Sequence, residues 1–369
     1  MVASHALRIN TISITIIYLS FNQKLVNKNP DKYISLGINS IMISQHSLIK
    51  ILANGKYHSG AALGKHFGVS RAAIWKVIQK LEENFKLTIF AVKGKGYKLQ
   101  NAIQLLDKNL IVEQLDEKTK IQLSQIEVFF DIDSTNNYLT TKSIEGAASG
   151  YVVLAEQQSN GQGRRGRRWF SPFGSNLYLS LLWRFPYGPA QLGCLSLFIA
   201  VAIVRAIKKL GVDDVGVKWP NDIYWKNKKL AGILLEMRGE ANGPSAVVIG
   251  LGLNISMKSD NLDADNNIDQ PWIDLETIIQ TKVNRDHFTS LVINSLFDVL
   301  NAVPEKHNEL LQEWRSMDVL RDEQVEIQFA DKVIIGKALG INSDGALRIL
   351  HDNKEIVCHS GDVSIRRNK

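Results

Sequence analysis

EQQSNGQGRRGRRW, residues 156–169, is the stretch on which the fold of this chain turns. Gly161, Gly163 and Gly166 alternate with Arg164, Arg165, Arg167 and Arg168. Glycine lets a main chain turn tightly and approach a ligand closely. Arginine keeps its charge and grips phosphate or carboxylate. The composition is that of a loop folded over an anion, although a solvated, flexible basic loop would read the same. A G-x-G-x-x-G is present, but a dinucleotide fingerprint needs a strand running directly into it, a helix opening within it and an acid about 20 residues on. Here residues 156–160 are all polar and separate the apolar run 151–155 from Gly161, Pro172 follows soon after, and no acid stands near Pro186. A Walker A loop fails as well, because Arg167 and Arg168 stand where Lys and Ser or Thr are required. The Rossmann and P-loop folds are excluded, and the anion must be sought through the rest of the chain.

Charge points upstream. The 369 residues carry a net +7, yet residues 42–103 hold ten Lys/Arg against two Asp/Glu, residues 1–41 four against one, and residues 104–369 thirty against thirty-four. A basic module on a near-neutral body is the footprint of nucleic-acid binding. The pattern agrees. Leu48, Ile49, Ile51 and Leu52 give a helical face that stops at Asn54-Gly55. Ser59 caps a second helix to about Phe67, and Gly68-Val69 turns the chain. Ser70 caps a third helix, RAAIWKVIQKLEEN, with Ala73, Ile74, Val77, Ile78 and Leu81 at helical spacing. Helix, short glycine turn, helix is the helix-turn-helix order. Outward on the third helix stand Ser70 at its start and Arg71, Trp75, Lys76, Gln79 and Lys80, which can meet phosphates and base edges. A strand at 87–92 and the basic turn Lys93-Gly-Lys95-Gly-Tyr97 form a wing. A three-helix packing module with a solvated charged face is the other reading of the same residues.

Downstream, residues 102–107 link to a longer α/β region. A strand at 128–132 ends in Asp133-Ser134-Thr135-Asn136, which can cap the next helix or present hydroxyls and an amide to a small ligand. Residues 151–155 form a strand leading into the Gly/Arg loop, and 176–183 alternate as a half-buried strand. Residues 192–210 read as a core helix, too short in uncharged length to span a membrane. A strand at 215–219 ends in Lys218-Trp219-Pro220-Asn221-Asp222, where Lys218 is either a surface lysine or an electrophile beside the anion loop. Strands at 230–237 and 246–249 follow, the second leading into Gly250-Leu-Gly252-Leu-Asn254, a close backbone approach or a plain turn. Helices at 286–301 and 304–317 precede short strands at 324–329, 332–339, 346–350 and 355–358, the pattern of a small β-barrel.

Other chemistries are absent from the sequence. Cys194 and Cys358 are far apart and outside any C-x-x-C, no H-E-x-x-H or G-x-S-x-G occurs, and no protein metal ligands are identified. The cysteine usage suits a reducing compartment. Residues 9–21 are apolar but too short for a membrane span and lack a clear cleavage site, so residues 1–41 are read as a disordered extension or a misassigned start.

The stretches SRAAIWKVIQKL with its GKGY wing, DSTN, AEQQSNGQGRRGRRWFSPFGSNLYLS, VKWPNDIYWKNKKLAGILLE and GLGLNIS make the chain similar to the bifunctional biotin protein ligase and biotin operon repressor family over residues 42–369. The resemblance implies a multidomain α/β (α+β) protein. Its parts are a winged helix-turn-helix at 42–103, a ligase domain with a mixed β-sheet flanked by helices at 104–318, and an SH3-like small β-barrel at 319–369. It implies activation of biotin with Mg2+ and ATP to biotinyl-5′-AMP and transfer to one lysine of the biotin carboxyl carrier protein of acetyl-CoA carboxylase. It further implies operator DNA binding by an adenylate-favoured homodimer in the cytoplasm, without membrane association. By motif, Lys218 and Arg164 become catalytic. Ser134, Thr135, Asn136, Gln158, Gly161, Gln162, Gly163, Arg164, Lys218, Gly250 and Gly252 contact biotin, with Gly250 and Gly252 as a floor. Arg165, Arg167, Asn221, Asn254 and Arg366 lie near the nucleotide, and Ser70, Arg71, Trp75, Lys76, Gln79, Lys80, Lys93 and Lys95 face DNA. Gln162 departs from the arginine usual in the family, which matters only if that position acts through its charge. A lipoate ligase is the rival acyl-protein ligase, but its R-R-x-x-G-G-G motif is absent. A ligase whose DNA-binding domain ignores biotin is the other alternative.

Overall fold

The computed structural model describes residues 44–240, 243–257, 268, 270–303, 305–329, 332–359 and 364–367, with side chains at 364, 366 and 367 outside the description. The expectation for residues 1–41 lies outside the described residues.

Three serines start the three N-terminal helices. Ser44, Ser59 and Ser70 each accept a backbone N–H three residues on, from Ser47 (3.0 Å), Ala62 (3.0 Å) and Ala73 (3.2 Å). Each bond satisfies a donor that the first helical turn leaves without a partner. The helices are α1 (Gln45–Leu52), α2 (Gly60–Phe67) and α3 (Arg71–Phe85). Leu48, Ile49, Leu52, Leu63, Ile74, Ile78 and Leu81 bury their side chains between them. The antiparallel hairpin β1 (Ile89–Val92) and β2 (Gly96–Leu99) is the wing. Paired backbone bonds between His58 and Tyr97 tie it to the segment before α2. Gly96, at φ +103, makes that approach possible, since a Cβ there would lie 2.1 Å from the His58 carbonyl oxygen.

After α4 (Lys108–Glu113) and α5 (Glu117–Gln122), the ligase domain is built on seven strands. They are β3 (Gln125–Phe129), β4 (Tyr151–Ala155), β5 (Asn176–Phe185), β6 (Gly216–Lys218), β7 (Asp222–Trp225), β8 (Lys228–Gly239) and β9 (Ser245–Asn254). Their order is β3-β4-β5-β9-β8-β7-β6. Only β3 and β4 run parallel, so the sheet is mixed. One face carries Leu177, Leu179 and Leu181 of β5 and Ile249, Leu251 and Leu253 of β9, and it shares a core with α7 (Leu195–Lys208) and α9 (Arg285–Ala302). The helical stretch Pro189–Lys208 is apolar and long enough to cross a membrane, but it is buried as the central core helix. The other face is covered at one end by α6 (Thr135–Ile144), whose Leu139 packs on Tyr151, Val153, Leu182 and Val248. Short α8 (Leu275–Ile279) and α10 (His307–Ser316) complete the domain.

β9 corrects the sequence reading. Residues 250–254 are not a turn after a strand ending at 249; they continue the strand, pairing with β5 through Asn176↔Asn254 and with β8 through Gly252↔Gly232. Glycine is a poor strand former in isolation, but here both neighbouring strands supply ladder partners.

The C-terminal strands β10 (Gln324–Gln328), β11 (Val333–Ile341), β12 (Leu347–His351), β13 (Lys354–Cys358) and β14 (Ser364–Arg367) form a small antiparallel sheet in the order β13-β12-β11-β10-β14. Asp352 and Asn353, both at positive φ, make the two-residue hairpin turn. The buried residues Val325, Ile327, Leu347 and Ile349 join the core of the ligase domain. The Trp219 indole N–H donates to the Gly345 carbonyl at 2.9 Å.

Two joints hold the ends to the middle. At the first, Glu156, which opens the Gly/Arg stretch, accepts the Leu106 N–H and pairs with Arg285 at 2.7 Å, both side chains almost wholly buried. Arg285 also donates to the carbonyls of Gln104 and Asn176, and Asp286 accepts the Asp107 N–H, so residues 104–107 are clamped to the ligase domain. Phe173, beyond the loop, enters the core of the DNA-binding module, its ring 4.9 Å from that of Phe85. At the second joint, residues 317–319 add to the edge of β6 through bonds between Val217 and Met317 and between Val319 and Val217.

Asp318 lies in that second joint. Its Oδ1 accepts the Leu320 N–H at 2.9 Å, while Oδ2 is buried without a hydrogen-bond partner. Burial pushes its carboxyl up to about 6, against the lowering pull of the Leu320 N–H. The folded protein therefore holds this proton more tightly than the unfolded chain. The stability so contributed is full below the ordinary value of 3.8 and is lost as pH rises through about 6. Asp318→Asn keeps the acceptor and cannot ionise. It should stabilise the protein by roughly 1–2 kcal/mol above pH 6 and little near pH 4, read by urea unfolding. A shift of the same size at both pH values would contradict this account of the joint.

Candidate active site

Cross-strand register places the candidate residues. Residues directly opposite in a sheet share a face. Lys218 pairs with Asp222, Asp222 with Gly232, Gly232 with Gly252, Gly252 with Tyr178, and Tyr178 with Ala155. These six residues form one row across the sheet, on the face that α6 leaves partly open. The next row on that face is Leu234, Gly250, Ser180 and Val153, and the one after it is Glu236, Val248, Leu182 and Tyr151. With strands about 4.8 Å apart, Lys218 begins three strands, roughly 14 Å, from Gly252. Small residues in the middle of these rows make a low trough in the sheet surface, on which Trp169 and Asn136 lie, with Lys218 at one end and the start of α6 at the other.

At the α6 end, Ser134 is the N-cap and accepts the Asn137 N–H at 3.4 Å. Ser134, Thr135 and Asn136 are all nearly fully buried. The Thr135 N–H and hydroxyl both donate to Gln158 Oε1, at 2.9 and 3.0 Å. Gln158 Nε2 donates to Ser171 Oγ at 3.2 Å, and Ser171 donates to the Trp169 carbonyl at 3.1 Å. Asn136 lies against Gly250, where a Cβ would sit 2.3 Å from its Oδ1. Capping and ligand presentation are therefore compatible roles of the same four residues.

The Gly/Arg stretch closes on itself. Trp169 N–H donates to the Gly161 carbonyl at 2.8 Å and Gly163 N–H to the Arg167 carbonyl at 2.7 Å. Between them is a single 3-10 turn, Arg164–Gly166, with Arg165 in the left-handed region at φ +60. Gly161 is buried against Ser171, Trp169 and Gln158. Gln162 is exposed and bridges Arg168 through its backbone. Arg165 and Arg167 are exposed, whereas Arg164 is half-buried and donates to Asn221 Oδ1 at 3.1 Å. Burial pulls the Arg164 guanidinium below its usual range, opposed by nearby Asp222 and reinforced by Arg165 and Arg167. An arginine held out of water beside two other cations favours an anionic partner.

The structure thus brings together Ser134, Thr135, Asn136, Gln158, Gly161, Gly163, Arg164, Lys218, Asn221, Gly250 and Gly252 around one trough. Asn221 also donates from Nδ2 to the Ile233 carbonyl at 2.5 Å, tying the Lys218 segment to β8. Lys218 Nζ lies 3.4 Å from the Tyr224 hydroxyl and 4.9 Å from that ring's centre. Asn254 is differently employed: it is buried and donates to the Ile273 carbonyl at 3.1 Å. Arg366 lies on β14, its backbone in register with Glu326, and its side chain is outside the description.

Residue-by-residue reading missed five participants. The Trp169 indole covers Gly232 and Gly252, with the Lys229 ammonium 5.3 Å from its ring centre. Its Nε1 is buried without a hydrogen-bond partner. Lys229 pairs with Asp222 at 2.9 Å. Ser180 and Glu236 contact Asn136 from the sheet. Trp169 ends the basic stretch and could have been singled out. Ser180 and Glu236 come from strands and meet Asn136, which is far away in sequence, whereas Lys229 and Asp222 are seven positions apart on neighbouring strands.

A second surface lies on α3 and the wing. Ser70, Arg71, Trp75, Lys76, Gln79, Lys80, Lys93 and Lys95 are all exposed, while Ile74, Ile78 and Leu81 on the opposite side are buried. Trp75 is 48% exposed, unusual for so large an apolar side chain. Lys95 and Lys98 both stand over the exposed Tyr57 ring, at 5.7 and 5.6 Å. The local charge and geometry fit a recognition helix with a basic wing.

Known proteins match all three parts. Residues 128–254 match the biotin/lipoate A/B protein ligase family, residues 44–98 an HTH domain, and residues 322–366 the biotin protein ligase C terminal domain. The bifunctional ligase/repressor BirA of Salmonella typhimurium is 41% identical over 321 residues, covering 87% of this chain and 97% of that protein. The protein of the same name from Bacillus subtilis is 27% identical, over 85% and 95%. The biotin protein ligase from Aquifex aeolicus in complex with biotin and ATP superposes with a TM-score of 0.57 at 24% identity, covering 66% of this chain and all of that one. That last likeness bears on the fold alone.

The packing of Trp169 on Gly252 is directly testable. A Cβ at Gly252 would come within 2.3 Å of the indole Cε2. Gly252→Ala should cost about 1–3 kcal/mol in urea unfolding, as overpacking does. In the double variant with Trp169→Ala the clash partner is gone, so the two losses should add to less than their sum. Strict additivity would mean that the indole does not rest on this strand.

Proposed function

The chain belongs to the bifunctional ligase/repressor group of biotin protein ligases, and we propose that its trough holds biotin while ATP activates it to biotinyl-5′-AMP. The protein is a biotin protein ligase and carries the DNA-binding domain of a repressor. Its substrates are biotin and ATP, and the ligase/repressor type implies a carboxyl carrier protein as acceptor and operator DNA as the second partner. The carrying observation is the row from Lys218 to Tyr178, which sets a cation level with the glycines, together with the Arg164–Asn221 bond that brings the Gly/Arg loop to the Lys218 segment.

The ureido ring is placed at Ser134, Thr135, Asn136 and Gln158, whose hydroxyl and amide groups surround the start of α6. The acyl chain is assigned to the side of the Trp169 indole that faces away from Gly232 and Gly252, and its carboxylate to the neighbourhood of Lys218 and Arg164. Adenylation sets that carboxylate against a polyphosphate. Lys218 and Arg164 offset the repulsion and stabilise charge growing on the α-phosphoryl group. Asn221 holds Arg164 in position, and the trough fixes the angle of attack. Among the described residues no group of His, Cys, Asp or Glu is arranged to hold a metal. Mg2+ bound with the nucleotide would add neutralising charge on its phosphates beside Lys218 and Arg164. The closed loop then shields the mixed anhydride from water until a carrier lysine arrives.

Gln162 fits this scheme despite departing from the usual arginine, because its contact to Arg168 is made by backbone. The exposed Arg165 and Arg167 are assigned to the nucleotide. Asn254 is assigned to holding β9, and the nucleotide role of Arg366 rests on resemblance. The domain limits 42–103, 104–318 and 319–369 remain proposed limits; each encloses one matched segment, at 44–98, 128–254 and 322–366. We place the protein in the cytoplasm, consistent with two buried cysteines, and as a dimer when the adenylate is bound.

Lys218→Ala should slow single-turnover formation of biotinyl-AMP by roughly a hundredfold. Operator affinity of the unliganded protein should not change, since Lys218 lies outside the α3 face. An unchanged adenylation rate would remove Lys218 from the mechanism.

A dimer presents two recognition helices to a palindromic site and gains affinity through effective concentration. Sedimentation and operator binding should therefore show dimer and tight binding with biotin plus Mg-ATP, but not with buffer alone. The same mass and operator affinity in both conditions would leave a ligase whose DNA-binding domain does not sense biotin.

A further inference from the structure

Behind the ligand-facing residues runs a hydrogen-bonded chain that starts on a carboxylate. Glu236 of β8 accepts from Asn136 Nδ2 at 3.3 Å and from the Thr140 hydroxyl at 3.0 Å. Ser180 Oγ lies 2.6 Å from Asn136 Oδ1 and 2.8 Å from Thr135 Oγ1, and its one proton serves these two acceptors. Thr135 passes its own proton to Gln158 Oε1, and Gln158 continues through Ser171 to the Trp169 carbonyl.

The oxygen and nitrogen of a side-chain amide are nearly the same size, so shape does not decide which way an asparagine points. A carboxylate does decide it, because it only accepts. With Glu236 behind it, Asn136 must turn Nδ2 toward β8 and Oδ1 toward Ser180. Gly250 lets the amide lie flat on the strand in that orientation. Ser180 then donates, its one proton shared between Asn136 Oδ1 and Thr135 Oγ1, so the orientation set by Glu236 passes through Asn136 to Ser180. A cyclic urea presents one acceptor oxygen and two N–H donors. Reading it demands a pocket whose own donors and acceptors do not interchange.

We propose that Glu236 is a positioning residue that fixes the donor–acceptor pattern of the biotin pocket, acting through Asn136 and Ser180 without touching the ligand. This inference rests on the assignment of the trough to biotin. It adds that selection between ligands of one shape and different hydrogen-bonding pattern originates on β8.

The test compares biotin with 2-iminobiotin, in which an N–H donor replaces the acceptor oxygen of the ring. Affinities of the full-length protein for each are measured by calorimetry for wild type, Glu236→Gln and Ser180→Ala, with thermal unfolding of each protein as control. Wild type should prefer biotin. Glu236→Gln keeps the shape but can present either amide edge to Asn136, so its preference should narrow by about tenfold or more. Its KM for biotin should rise while its KM for ATP and its kcat stay unchanged. Ser180→Ala breaks the chain in the middle and should narrow the preference likewise, which keeps the test open if Glu236→Gln fails to fold. An unchanged biotin-to-iminobiotin ratio in the folded variants overturns the proposal, as does a fall in kcat with KM unchanged. Failure of the wild type to bind biotin would instead overturn the assignment of the trough.

Discussion

Strand register is the constraint on which the rest of this structure depends. Lys218, Asp222, Gly232, Gly252 and Tyr178 come from five strands and meet in one row only because those strands pair as they do. A slip of one residue in any strand would turn its member of the row to the opposite face. That face is filled by the core around α7 and α9, so a slip would bury Lys218 or Asp222 among leucines and expose Leu251 or Ile233. The hydrophobic core on one side thus fixes the chemistry on the other. The glycines contribute absence. They leave room for Asn136 and Trp169 to lie on the sheet, which no side chain at positions 250 or 252 would allow.

The Gly/Arg stretch is anchored at both stems to parts of the molecule outside the ligase sheet. Glu156 at its start is paired with Arg285 and bonded to the linker at Leu106. Phe173 beyond its end packs with Phe130 and Phe85 in the core of the DNA-binding module. The two stems also meet through the Gly174 N–H and the Glu156 carbonyl. Removing either partner of a buried ion pair leaves an uncompensated charge, so the clamp is costly to open. Rigid stems with an exposed, arginine-rich tip give a loop whose end can respond to a ligand while its base stays fixed. Its base is bonded to the linker at Leu106 and its far stem enters the core of the DNA-binding module, so the Gly/Arg stretch and that module are in direct contact.

Much of this was legible in the sequence where the signal is local. Ser59 and Ser70 mark helix starts because a cap is decided within four residues. Alternation from Leu177 to Trp183 marks β5, but the strand expected to be half-buried is buried on both faces, since α6 covers part of the side away from the main core. Signals that depend on distant partners were illegible. β7 has only four residues, and its strand character comes from β6 and β8 on either side. α4 and α5 have six residues each, too few for a period to show. The glycines at 250 and 252 read as a close backbone approach or a plain turn, because nothing local says that two strands flank them. At the proposed site, the sequence offered residues grouped in one motif, and it did not single out Ser180 and Glu236. Glu236 is a lone acid closing an apolar run, and its partner Asn136 stands a hundred positions away. The nucleotide reading of Asn254 failed to foresee its bond to Ile273, for the same reason.

The central claim is that one trough activates biotin and delivers it to a carrier lysine. Its most direct test is label transfer by the full-length protein with Mg-ATP, a biotin carboxyl carrier domain, and either radiolabelled biotin or radiolabelled lipoate. The account predicts that biotin label reaches the carrier in an ATP-dependent manner and that lipoate label does not. Transfer of lipoate in preference to biotin, or retention of all label as free acid, would contradict it.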